Sequence, residues 1–466
     1  MSTNTGEPVV AEQGAGAAVY SALPATELKR VLKTRDLVIF GMVFMAPVSA
    51  QTLFGNLTVV SQGHGVLAYL LGLIAMLFTA YSYGQMAKSY PRAGSTYSYT
   101  SQAIHPYVGF MAGWSILLDY VMIPVLLYKI SAIFLMEVIP LPLWAMLLVF
   151  VVPVTIFNIL GAKTSARVNM FMTAAMLLSI VLFVIFAAIF LVKEGGIGSL
   201  FQLKGIYNPD TFSMGALVAA ANIAVLSYLG FDSVTTMAED SRVTGRMVGT
   251  AAILACVINA CFYMAQVYFG TLVTPDINGF ESVDTAFFEL AVLVGGGGLA
   301  TFLTLIIAIS GISTALAGQA SASRLLFGMG RDGVLPKFYA RLHPKFKTPI
   351  YSILFMAVVG YLIALWVDLD ALFMVIVFGA LIGFMGVNAS TFAEYFVRRK
   401  MRSGIDWIRY VLFPLIGLAV CVYIFTGMAP VGKIVGGIWF VIGLIFLAVA
   451  SRGFTKKGEL FSKENF

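Results

Sequence analysis

The chain has 466 residues, 60% of them hydrophobic and 11% charged, with a mean hydropathy of +0.92 and a formal net charge of +7. A soluble domain averages about 45–50% apolar and about 25% charged residues, so a soluble enzyme, a disordered chain and a nucleic-acid module are excluded. The three cysteines, Cys256, Cys261 and Cys421, lie in apolar runs, match no metal or redox spacing, and are read as small buried hydrophobes.

The first 26 residues of the stretch 1–36 are polar and rich in Gly, Ala, Ser, Thr and Glu, without the basic start and cleavable apolar run of a signal peptide. The stretch is expected to be a disordered cytoplasmic tail. Twelve stretches then reach the roughly 20 apolar residues a membrane helix needs. They are 37–61, 66–87, 107–137, 141–160, 168–192, 213–238, 247–273, 287–319, 349–367, 371–396, 408–427 and 430–450. The expected class is an all-α multi-pass membrane protein, closed by a second tail over 452–466.

Twelve spans put both termini on one side. One set of connecting segments carries most of the bases, from Lys29 and Arg30 through Lys88, Arg246 and Arg409 to Lys463, while the other holds only Lys193, Lys204 and Lys433. The excess of bases marks the cytoplasmic side, and with it both termini. The opposite face gathers acids, among them Glu137, Glu194, Asp210, Asp276 and Asp368. Such a face attracts cations, although the exclusion of bases from translocated loops would leave the same pattern.

Two spans look interrupted. In the first, Pro47 removes a backbone donor and clashes with the preceding turn, so the helix should break near Ala46. In the sixth, Gly230 and the carboxyl of Asp232 interrupt the run Leu226-Ser227-Tyr228-Leu229-Gly230-Phe231-Asp232. Breaks five spans apart are what an inverted five-plus-five repeat would give, here 37–193 and 213–397, with helices 11 and 12 over 407–451 outside it. Discontinuous helices in matching halves point to a transporter's central site.

Ionisable groups at bilayer depth cost several kcal/mol unless paired or solvated. Asp119 sits about a dozen residues beyond Pro106, roughly 18–20 Å along its helix. It can bind an ammonium group, carry a proton, or pair between helices. Asp232 can bind, take up a proton, or accept the amides freed by its own break as an Asx-type cap. Lys129 lies nearer the outer face, where a structural or gating role is expected. Glu239, Asp240 and Glu394 should pair with nearby arginines. His64, His105 and His343 stand at helix or loop ends and suit no proton relay.

Three segments carry a resemblance. They are Tyr90-Pro91-Arg92-Ala93-Gly94-Ser95-Thr96-Tyr97-Ser98-Tyr99 in the loop expected after span two, Leu229 to Asp232 in span six, and Ser323 to Lys337 in the loop expected after span eight. With Met45-Ala46-Pro47, Val108 to Trp114 and Leu117-Leu118-Asp119-Tyr120, the chain resembles the amino acid–polyamine–organocation superfamily, and within it the bacterial putrescine importers. The resemblance implies the LeuT fold and a substrate site between spans one, three, six, eight and ten. It places that site at Ala46, Pro47, Val48, Ser49 and Ala50, at Leu226, Ser227, Tyr228, Gly230 and Asp232, and at Tyr120 beside Asp119. Asp232 matches a position that is acidic in proton-sensitive relatives, so Asp119 and Asp232 are the proton-coupling candidates. The sequence departs from the importer pattern at Thr52, where that branch carries an acid, and span five has no lysine around Thr173.

The expected function is a permease that moves a small amine such as putrescine, or an amino acid, by alternating access, coupled to protons or exchanging. A neutral amino acid or other small organic solute is the alternative. No catalytic constellation, cofactor motif or metal set is found, so no enzyme is expected. Sodium coupling is disfavoured, because Ser310, Ser313 and Thr314 should bond their own preceding turn. The expected partners are a small-molecule substrate and the bilayer of a cell's inner membrane, not nucleic acid.

Overall fold

The computed structural model describes residues 32–90, 95–136, 141–238, 241–274, 276–281, 283, 286–331, 333, 335–428 and 430–451. Residues 1–31 and 452–466 of the two tails, the Pro91–Gly94 part of the first motif, and Glu137, Glu239 and Asp240 lie outside the described residues, whereas 32–36, expected in the disordered tail, are ordered, with Leu32 buried and a helix beginning at Thr34.

A chain in hydrocarbon must satisfy its backbone internally, and helices do so. The described residues are nearly all helical, with one isolated parallel bridge between Leu32 and Ser241. Ten helices are long and apolar enough to cross a bilayer, and the bent first pair, Thr34–Thr52 with Phe54–Val60, makes an eleventh. Ile350–Trp366 stands at the expected ninth span but has only 17 residues. Phe171, Trp366 and Val449 are 69%, 79% and 75% exposed, a surface suited to lipid rather than water.

The spans follow the expected order, with two corrections. Span eight does not end at 319. The helix Ala286–Arg331 continues through the second motif and is kinked at Gly296, whose φ is +72°. The run from Ser310 to Gly330 is mostly small residues without a proline, and it is buried almost throughout, so packing carries the helix on. Likewise the first motif is not all loop, because Ser95–Ala103 is a buried helix. Gly109 and Gly113 of span three (Pro106–Met136) let it approach, since a Cβ at either would strike Ser101 or Tyr97.

Small residues set the packing around span three. Gly379, Gly383 and Gly386 of span ten (Leu369–Thr391) share one face, and a Cβ on each would meet Ser115, Ile116 and Ala112. Close backbone approach of this kind is how membrane helices associate without a hydrophobic driving force. Span twelve (Pro430–Ala450) is held to span three by Trp114 and Trp439. Their rings stack at 4.6 Å, and each indole donates to the other's carbonyl at 2.9 Å. Of the cysteines, Cys256 and Cys421 are buried as expected, whereas Cys261 is exposed.

Candidate substrate site at two broken helices

Span one breaks where proline requires it. Thr34–Phe44 ends, Ala46 takes a φ of +49°, and a short helix resumes at Ser49–Thr52. Left-handed backbone costs an ordinary residue about 1–2 kcal/mol, so neighbouring groups must hold it. Span seven (Gly245–Val273) does so with side chains at spacings of four and three, which fall on one helix face. Asn259 donates to the Met42 carbonyl at 2.9 Å, Tyr263 to Met45 at 2.6 Å, and Gln266 to Pro47 at 3.0 Å. From span eight, Ser310 bonds its own preceding turn at Ile307 as expected, but Thr314 donates instead to the Val43 carbonyl at 2.7 Å and the buried Ser313 hydroxyl has no partner, which corrects the expectation for those two.

Span six runs Met214–Tyr228 and resumes at Ser233–Thr236. Gly230 turns the chain with a φ of +108°, and a Cβ there would lie 2.7 Å from the Phe44 ring. The two breaks touch. Ser49 and Ser227 share a hydrogen bond of 2.8 Å, Ser227 shares another with the Tyr69 hydroxyl at 2.9 Å, and the Tyr263 hydroxyl lies 2.8 Å from the Ser227 carbonyl. One phenol thus faces carbonyls of both interrupted helices.

Span three meets span six through Tyr120, whose hydroxyl donates to Asp232 Oδ2. The other carboxylate oxygen of Asp232 has no hydrogen-bond partner. The Asp232 side chain makes no cap bond to the helix Ser233–Thr236 that follows the break, so the Asx-type cap is not formed. Asp119 is wholly buried, both its carboxylate oxygens lack a partner, and it lies within electrostatic reach of Asp232. Its burial follows from span ten, where Gly379 brings the chain onto the backbone of Ser115 and Asp119.

Not every expected site residue converges. Val48 packs with Met176 and Ile180 of span five, and Tyr228 turns toward span two, donating to the Tyr69 carbonyl at 2.8 Å. Ala50 and Leu226 pack within the core. Thr52 bonds its own turn at Ser49. Lys129 is structural in its contacts, donating to the Val367 carbonyl at 2.6 Å. Glu394 pairs with Arg399 at 2.7 Å and Arg398 at 3.4 Å, as its position implied. Asn259, Tyr263, Gln266 and Phe44 were missed. The first three are legible in retrospect as a polar stripe on one face of an apolar span. Phe44 gave no signal, because only the fold brings it between Gly230, Gly318 and Tyr120.

Two interrupted helices that meet at a buried polar centre define a secondary-transporter architecture. A Na+-coupled sialic acid symporter, solved in a substrate-bound outward-open state, has the same LeuT-like fold: TM-score 0.56, 12% identity, 86% of this chain and 90% of that one. The amino acid permease family model matches residues 42–450, and the chain belongs to that family. It is 32% identical to the low-affinity putrescine importer PlaP of Escherichia coli (strain K12), over 92% of this chain and 95% of that protein. It is 25% identical to the branched-chain amino acid permease BcaP of Bacillus subtilis (strain 168), over 93% and 95% respectively. The protein is therefore a membrane permease and not an enzyme.

Proposed function

We propose that this permease imports a small cationic amine of the putrescine class by alternating access, with Asp119 and Asp232 as its cation-recognising carboxylates. The observation that carries the reading is the set of buried acceptors at the centre. Both oxygens of Asp119 and one of Asp232 have no hydrogen-bond partner. A buried polar group left unsatisfied costs about 1–3 kcal/mol, and more if charged. A diamine brings one ammonium group for each acid. The resemblance to the putrescine importer supports the same class.

Ser227, Asp119 and Asp232 are at most 1% exposed, so substrate reaches these groups through a rearrangement. The two repeats, 37–193 and 213–397, are the bodies we assign to that rearrangement. We assign proton coupling to Asp119 and Asp232, the two carboxyls buried at the centre, and no sodium site. The basic face is assigned to the cytoplasm, with both termini, in a cell's inner membrane.

Binding to purified wild type and Asp119→Asn tests the reading. The affinity for putrescine should fall roughly tenfold or more, the scale of a charge-assisted contact. Unchanged affinity would make Asp119 a packing residue and remove the amine assignment. The relative BcaP motivates the second reading, a branched-chain or other neutral amino acid held by the broken-helix backbone. A thermal-shift panel of amines and amino acids separates the two, since only a ligand that binds the folded state raises Tm.

A further inference from the structure

Away from the centre, spans two, seven and eleven enclose a cavity of about 430 Å³. Its walls repeat one spacing. Tyr81, Gly84, Gln85 and Lys88 line it from span two (Gly65–Ser89), and Arg246, Gly249, Thr250 and Ile253 from span seven. Steps of three, four and seven residues keep each set on one helix face. Gly84 and Gly249 face each other in close backbone contact, which leaves the floor of the cavity without side chains. Arg409 and Tyr410 close it from the π-helical segment Ile408–Leu412 at the start of span eleven.

The rim carries three cations from three separate helices, Lys88, Arg246 and Arg409, all exposed. None of them makes an ion pair with a described residue. Glu239 and Asp240 lie outside the described residues, and the described acids nearby are engaged elsewhere. Asp406 accepts from the amide and hydroxyl of Ser403, and Glu394 is held by Arg398 and Arg399. Span seven starts at this cavity with no side-chain cap on its first turn, so its amide end adds positive potential. Converging like charges repel, and they gain most from a shared anion. Lys88 is in the last turn of span two and Arg246 in the first turn of span seven, which sets the cavity at the membrane–water boundary. Tyr81 and Tyr410 bring the phenols typical of that depth.

We propose that this cavity is a binding site for a phosphate group, and that Lys88, Arg246 and Arg409 hold it. The phosphate can come from an anionic lipid headgroup or from a free phosphate in solution. Basic niches between helices at the membrane boundary are suited to lipid phosphates. A headgroup held there would tie spans two, seven and eleven together from the bilayer side. The site is separate from the substrate centre, so its failure would leave the transport reading intact.

Native mass spectrometry of the full chain, released from detergent after incubation with equal amounts of dioleoylphosphatidylglycerol and dioleoylphosphatidylcholine, reads the lipid source. Wild type should retain the anionic lipid over the zwitterionic one by at least about fivefold, the scale of one basic residue's attraction to an anionic surface. Lys88→Gln, Arg246→Gln and Arg409→Gln combined should bring that ratio to about one. The same charge removed elsewhere, by Arg341→Gln, Lys345→Gln and Lys347→Gln, should leave it unchanged. Each single variant at the cavity should lower the ratio in part, so the result does not depend on the triple variant folding. Sodium phosphate against sodium chloride at equal ionic strength, without lipid, reads the other source. A Tm rise in phosphate that the triple variant loses, with no lipid preference, assigns the site to a free phosphate. Lipid retention and Tm responses that are the same in wild type and cavity variants overturn the proposal.

Discussion

The two helix breaks differ in what completes them. At the break in span one, the freed carbonyls of Met42, Val43, Met45 and Pro47 are each met by a side chain from span seven or eight. At the break in span six, Gly230 makes the turn, Tyr263 reaches the Ser227 carbonyl and Ser233 the Gly230 carbonyl, but the carboxylate of Asp232 keeps one oxygen without a partner. Asp119, on the neighbouring span three, keeps two. The first break is a clamped backbone turn, while the second holds unfilled charge acceptors. Proline and glycine mark both equally well in a sequence, yet the polar surroundings make one a support and the other a candidate point of recognition.

Gly230→Ala tests the contrast most severely. The added Cβ would stand 2.7 Å from the Phe44 ring at a backbone φ of +108°. Overpacking alone costs about 1–3 kcal/mol, and the strained φ adds of order 1–3 kcal/mol. Uptake should be lost and the melting temperature should drop by several degrees. A variant that melts and transports like wild type would show that the turn at span six needs no glycine. Asp232→Asn comes next. It keeps the shape and removes one charge, so putrescine affinity should fall roughly tenfold while Tm changes little. If Tm collapses and the affinity of the folded fraction does not, Asp232 belongs with the clamped elements.

The sequence carries the fold further than it carries the site. Each membrane span must be apolar over its length, so span positions, both interruptions and the depth of Asp119 are visible without coordinates. Partnerships between distant spans are not. Nothing near Tyr120 says that its hydroxyl reaches Asp232, 112 positions on. Pro47 marks the break, but the residues that hold it lie over 200 positions later in span seven. The motif from Ser323 to Arg331 reads as a loop because two arginines and two glycines interrupt its apolar run and Gly333 and Pro336 follow. Burial against its neighbours makes it helix instead. Local chemistry thus marks where the chain departs from a plain membrane helix, and packing decides what each departure is for.

Tyr263→Phe probes the clamped side. The variant removes the hydroxyl that bonds the Met45 carbonyl at 2.6 Å and lies 2.8 Å from that of Ser227. Leaving a buried acceptor unmet costs about 1–3 kcal/mol. The expected outcome is a lower Tm and slower uptake, with the substrate affinity of folded protein kept within about threefold, since a support should move stability more than recognition. An affinity loss as large as that of Asp232→Asn, at unchanged Tm, would erase the distinction between the two breaks.

The smallest effect is expected at Lys129, which tests whether every buried charge in the membrane belongs to the site. Its ammonium donates to the carbonyl of Val367, the residue that ends the helix Ile350–Trp366. The last carbonyls of a helix lack intrahelical donors, and a cation there also suits the helix dipole. The aliphatic stem is nearly as buried as a core residue, so its volume matters as well as its charge. Lys129→Met keeps most of that volume and loses one charge-assisted bond, about 1.5–3 kcal/mol at most. Span nine should fray at its end without disturbing Asp119, ten residues away along span three. Uptake should stay above about a third of wild type, with Tm slightly lowered, because the lost interaction holds a helix end rather than a ligand. Lys129→Ala, which also removes the stem, should melt lower than Lys129→Met. If Lys129→Met instead abolishes substrate binding in a protein that melts normally, the lysine acts on the ligand, and a purely cation-selective centre could no longer be drawn from the unfilled carboxylates alone.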